Sequence, residues 1–149
     1  MTIKEQIEKD FMEAYKAKDE IKSSALRMLK SAIKNAEIEK RSDLDESEVA
    51  RLLRKELKSR EEAAADYKKG GRDDLAQKEE GEAKLIQTYL PAEMSDDDIV
   101  KIIKSTAKEQ NISNISDFGK LMSALMPKVA GRADGARVST LAREYLNNA

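Results

Sequence analysis

The chain is predicted to be all-α, and three observations carry that expectation. Apolar residues recur at intervals of three and four through successive stretches of the sequence. Glycine and proline, the strongest helix breakers, number six and two in 149 residues, so long segments run without interruption. Charged residues reach 38% while aromatics stay at 4%, a balance suited to solvated helical faces rather than to strands.

The elements follow in order. Ile3, Ile7, Phe11 and Ala14 predict a first helix with one apolar face. A break at Lys18-Asp19 leads to a second, striped by Ile21, Ala25, Leu29, Ile33 and Ala36. Ser42-Asp43-Leu44 reads as a turn. Asp45 and Glu48 then have the spacing of a capping box, in which each side chain accepts from the other's backbone N–H. The third helix turns Val49, Leu53, Leu57, Ala64 and Tyr67 inward and stops at Gly70-Gly71, as a glycine C-cap allows. Lys55, Lys58 and Arg60 lie near Glu56, Glu61 and Glu62, so their charges largely cancel, the pattern of a salt-bridged exposed helix. The fourth helix runs from about Asp73 to Leu90, with Leu75, Ala83, Ile86 and Leu90 inward, and Pro91 ends it. Gly81 costs that helix roughly 1 kcal/mol against alanine and reads as tolerated rather than as a close-packing device.

Pro91-Ala92-Glu93 is the expected domain boundary. It divides an N-terminal domain of about four helices, residues 1–91, from a C-terminal three-helix domain, residues 92–149. Ser95 is placed to cap the fifth helix (about 96–110), with Met94 and Ile99 as its hydrophobic staple. Asp96, Asp97 and Asp98 face the helix dipole favourably. Consecutive helical positions point about 100° apart, so these carboxylates do not converge on an ion and no metal is expected. Ile99, Ile103 and Ala107 line the fifth helix. The sixth starts at Ser116 or Asp117 and uses Phe118, Leu121, Met122 and Leu125; Pro127 should kink or end it. The seventh starts at Asp134 and uses Val138, Leu141, Ala142 and Tyr145. Met122 and Met126 read as core fill. Tyr67, Tyr89 and Tyr145 fall on or beside apolar stripes, which favours core placement with the hydroxyl at the rim over base stacking.

Composition limits the chemistry. With no cysteine and no histidine, there is no disulfide, zinc–thiolate site, thiol nucleophile or imidazole base. No Gly-x-Ser-x-Gly turn and no Gly-rich phosphate loop occurs. Independent catalysis and a bound cofactor are therefore not expected. The absence of an apolar leader and of a long uncharged run predicts a cytoplasmic protein with no membrane partner. The net charge of −1 is unevenly spread: cations outnumber acids by two in residues 1–41 and in 112–149, and fall short by five between. An anionic partner should meet the two ends of the chain.

Two cationic groups stand out. Gly131 and Asp134 are expected to end one short helix and start the next, with Lys128, Arg132 and Arg137 around the junction. Free N–H groups and a partial positive charge at a helix start favour an anion, while the Asp134 carboxylate competes for the same donors. The expectation is that the cations grip phosphates around the junction, not within a closed pocket. In the second helix Arg27, Lys30 and Lys34 fall at i, i+3 and i+7, a stripe that Lys40 and Arg41 extend and that can follow a phosphate backbone.

The segments Gly119-Lys120-Leu121-Met122, Pro127-Lys128-Val129 and Gly131-Arg132-Ala133-Asp134-Gly135 resemble the signature of the GatB/YqeY family. That family comprises small stand-alone proteins and the C-terminal tail of the GatB component of the tRNA-dependent amidotransferase. Leu26-Arg27-Met28-Leu29-Lys30-Ser31-Ala32-Ile33-Lys34-Asn35 and Tyr89-Leu90-Pro91 resemble the stand-alone members too, so the likeness covers essentially the whole chain. It implies a tRNA-associated module without catalysis of its own, with Lys120 joining the nucleic-acid-binding cations. The tRNA partner would be accompanied by an aminoacyl-tRNA synthetase or the amidotransferase. The resemblance also leaves open an accessory or enzymatic part in carbon–nitrogen ligation with glutamine as amido-N-donor, and a protein–protein adaptor.

Overall fold

Residues 1–129 and 132–148 are described by the computed structural model, and they are helical with no strand among them. Seven helices run in order: α1 (Ile3–Lys16), α2 (Glu20–Lys40), α3 (Glu46–Lys69), α4 (Asp73–Tyr89), α5 (Asp96–Glu109), α6 (Phe118–Val129) and α7 (Gly135–Asn147). A 3-10 turn at Ile115–Asp117 leads into α6. The chain divides into two compact units, Met1–Pro91 and Ala92–Ala149.

In the first unit Thr2 and Glu5 form a capping box at the start of α1. Lys18 takes a left-handed φ of 58° in the tight turn after α1, and Asp19 caps α2 by accepting from the Lys22 N–H at 3.1 Å. The core joins Ile7 and Ala14 of α1, Leu26, Leu29 and Ile33 of α2, Val49 and Leu53 of α3, and Ile86 of α4. The stripe expected for α2 is corrected at its start. Ile21 is 85% exposed, whereas Leu26 is fully buried. Apolar residues spread over an arc wider than one face, and the neighbouring helices cover only the part holding Leu26, Leu29 and Ile33.

The Asp45–Glu48 capping box forms. At the end of α3 it is Gly71, with φ 74°, that needs glycine's left-handed freedom; Gly70 has an ordinary φ of −84°. Ala50 and Ala64 of α3 and Ala76 and Ala83 of α4 are the small buried residues of these two helices. Arg60 pairs with Glu56 on its own helix at 3.5 Å and crosses to Glu79 and Glu82 of α4 at 3.3 and 3.6 Å. A Cβ at Gly81 would meet nothing within 4 Å, so this glycine serves no close approach. The Tyr89 hydroxyl donates to Asp10 Oδ2 at 2.6 Å. Burial, together with the adjacent carboxylate, pushes its pKa well above the usual tyrosine value.

The second unit begins as its capping chemistry predicts. Ser95 Oγ accepts from the Asp98 N–H at 3.2 Å, and Met94 and Ile99 are both buried in one core with Ile103, Leu121, Leu125, Val138 and Leu146. Met122 and Met126 pack against that core from its edge. Pro127 lies inside the last turn of α6, which continues to Val129. There it removes the N–H that would otherwise donate to the Ser123 carbonyl one turn back, and the helix ends two residues later. Asp134 caps α7, accepting from the Ala136 N–H at 3.2 Å. Gly131 lies outside the described residues.

Candidate nucleic-acid interface

The cations of the C-terminal junction divide sharply. Arg137 donates Nε to Asp96 at 2.6 Å and Nη1 to Glu93 at 3.1 Å, and its Nη2 reaches the Met94 carbonyl. The Met94 N–H in turn donates to the Arg132 carbonyl at 2.9 Å. Together these bonds clasp the start of the second unit to the first turn of α7. Lys128 Nζ donates to the buried Thr106 hydroxyl at 2.9 Å and to Glu109 at 3.1 Å. Thr106 is fully buried, so this bond also supplies a partner that burial would otherwise remove. Arg132 and Lys120 are exposed, and no hydrogen bond or ion pair joins either side chain to a described residue. Two of the four cations therefore remain available to an anion.

The α2 stripe is built differently. α1 and α2 run antiparallel, tied by Glu8–Lys30 at 2.9 Å and Lys4–Glu37 at 2.7 Å. This pairing sets Phe11 of α1 beneath two of the predicted cations. Lys30 Nζ is 4.3 Å from the ring centroid and the Arg27 guanidinium 5.5 Å. Cations so placed are attracted by the negative face of the ring. Tyr15 lies one turn further along α1, its ring 6.1 Å from Phe11 and tilted by 32°, and it is 61% exposed. Lys34 is exposed beyond Lys30. Its neighbour Glu37 is already held by Lys4 and by the Leu44 N–H, which lower its pKa below the carboxylate norm. Lys40 does not extend the stripe as an open charge, because it pairs with Glu48 at 2.7 Å.

Phe11 and Tyr15 are the residues that sequence reasoning did not bring to this surface. Phe11 is assigned to the apolar stripe, and it does pack against the core from the edge. The available signal is the Phe-x-x-x-Tyr spacing, which puts both rings on one face of α1. Tyr67, Tyr89 and Tyr145 are partly buried, in keeping with the rim positions expected of them. Among the described residues, no group of three or more acidic side chains is arranged to hold a metal ion. No described helix is long and apolar enough to cross a membrane.

A family described as Yqey-like protein matches residues 4–146. Among curated proteins, "Altered inheritance of mitochondria protein 41, mitochondrial" of Vanderwaltozyma polyspora is 44% identical over 85 residues, 56% of this chain and 46% of the relative. The protein of the same name from Eremothecium gossypii is 39% identical over 87 residues, 58% of this chain and 48% of the relative. The one from Kluyveromyces lactis is 29% identical over 147 residues, 93% of this chain and 80% of the relative. Matches to the first two relatives thus span about half their length. These names overturn the expectation of a cytoplasmic location, since each relative is called mitochondrial. The physical reason is that organellar transit segments are amphipathic and Arg-rich, so the lack of an apolar leader does not bear on them.

Proposed function

The chain belongs to the YqeY-like protein family, and from that premise we propose that it binds tRNA and catalyses no reaction alone. The reading is carried by the exposed row of Arg27 and Lys34 on α2, with Lys30 between them shared by Glu8 and Phe11. Spaced cations on one helical face suit a phosphate backbone, which asks for charge at intervals more than for exact shape. In the second unit Lys120 and Arg132 supply the open cations, while Arg137 and Lys128 hold the fold around them.

Titrating the full chain with tRNA at several salt concentrations tests this directly. Replacing Arg27 and Lys34 together by alanine should weaken binding and reduce the salt slope by about 2, the loss of two phosphate contacts. Native affinity and an unchanged slope in that variant would remove α2 from the interface, and absence of tRNA binding by the native chain would end the reading.

A further inference from the structure

We propose that Tyr15, backed by Phe11 with Arg27 over the Phe11 ring, is a stacking site for an unpaired nucleobase, so that this face holds a single-stranded RNA segment. The inference rests on the tRNA reading and narrows it. Phosphate contacts alone make no use of an aromatic surface, yet Tyr15 stands 61% exposed next to Phe11, the ring that carries Arg27 and Lys30. Its hydroxyl forms no hydrogen bond to a described residue, which sets it apart from Tyr89 with its bond to Asp10. The rings of Phe11 and Tyr15 are 6.1 Å apart and tilted by 32°, and Tyr15 is the more exposed of the two. Lys30 sits 4.3 Å from the Phe11 ring centroid, so that ring already has a cation partner and Tyr15 is the more open of the two.

Arg27 gives the site its second component. Its guanidinium carries a planar face and five N–H donors, and it lies 5.5 Å from the Phe11 ring centroid. A base stacked on Tyr15 would place its own flanking phosphate near that guanidinium, combining stacking with charge as single-strand binders do. In a duplex the base faces are already covered by their neighbours. Loops and ends, whose bases can splay outward, are the part of a folded RNA that offers what this surface needs.

The test uses the full chain, intact tRNA, an unstructured 12-nucleotide RNA and a 12-base-pair RNA duplex. The single strand should compete with tRNA and the duplex should not. Tyr15→Ala should weaken binding of tRNA and of the single strand by about 5- to 150-fold, the range of one lost base–aromatic stack. Its salt slope should stay unchanged because no charge is removed. Tyr15→Phe should bind within about twofold of native, and Arg27→Ala should lower the slope by about 1. Circular dichroism of Tyr15→Ala should match the native chain, since the side chain is exposed. If native chain binds tRNA but Tyr15→Ala binds equally well, or the duplex competes as strongly as the single strand, the stacking site is overturned while the tRNA reading stands. If the native chain binds no tRNA, both are overturned.

Discussion

One set of cations in each unit shows how differently similar charges can be placed. In the first, Arg27 and Lys34 face solvent along α2, and Lys30 rests on an aromatic ring. In the second, Arg137 and Lys128 are drawn into bonds with Glu93, Asp96, Glu109 and a buried hydroxyl. Both sets read from sequence as basic surface. What separates them is the residues placed opposite: carboxylates, a carbonyl and a buried hydroxyl hold Arg137 and Lys128, whereas Arg27 lies over the Phe11 ring and Lys30 is shared between that ring and Glu8. A cation within a family motif, as Lys128 is, or just beyond one, as Arg137 is, can therefore be a fastener of the fold, and its role is decided by its distant partners.

The strongest way to break the comparison is to unfold one unit and watch the other. Leu53 is fully buried in the first core, so Leu53→Ala should destabilise that unit by about 2–5 kcal/mol. Thermal melts followed by residue-specific NMR should show the second unit's resonances persisting. Simultaneous loss of both sets would show that the units do not fold separately.

Arg137→Ala should come next. It leaves Glu93 and Asp96 unpaired and should cost the second unit about 1–2 kcal/mol, since the clasp is partly exposed and screened. Proteolysis should then begin near Glu93. The salt slope of tRNA binding should not change, whereas a slope lower by about 1 would make Arg137 a phosphate contact after all.

Tyr89→Phe should cost the first unit about 1 kcal/mol by removing its bond to Asp10. Chemical denaturation gives the value, and an unchanged midpoint would mean that water replaces the hydroxyl without loss.

The smallest effect concerns pH. Glu37 is held below its ordinary pKa of 4.5 by Lys4 and the Leu44 N–H, and Glu48 by Lys40 and the Asp45 N–H. A carboxylate lowered in the folded state contributes stability that is present above the unfolded value and lost as pH falls through the folded one. The first unit should accordingly lose stability below about pH 4.5. In Glu37→Gln with Glu48→Gln, that part of the acid dependence should vanish, and its survival would assign it to other groups.

Local chemistry was legible in the sequence. The Asp45–Glu48 box, the Ser95 cap with its Met94–Ile99 staple, and the stop at Gly70-Gly71 all depend on neighbours close along the chain. Leu29 and Ile33 of the α2 stripe are buried as expected, but Ile21 at its start is exposed, because periodicity shows that a face is apolar but not how much of it a neighbour covers. Arg137 was legible as a cation yet not as a clasp, because its partners Glu93 and Asp96 lie 44 and 41 residues away. Tyr15 escaped notice for a similar reason. Its significance comes from α2 packing along α1, a contact made in space by residues that composition and spacing treat separately.

The bond from Tyr89 to Asp10 joins residues 79 positions apart, and this has a consequence for how the protein emerges from the ribosome. The first helix to be synthesised cannot finish its core until the fourth has left the exit tunnel. At about 5–20 residues per second the wait is roughly 4–16 s. Through that interval Ile7 and Leu26 lack Ile86, the last of the buried residues in their shared core. The nascent chain would carry an unsealed apolar seam, open to chaperones until Tyr89 arrives to close it.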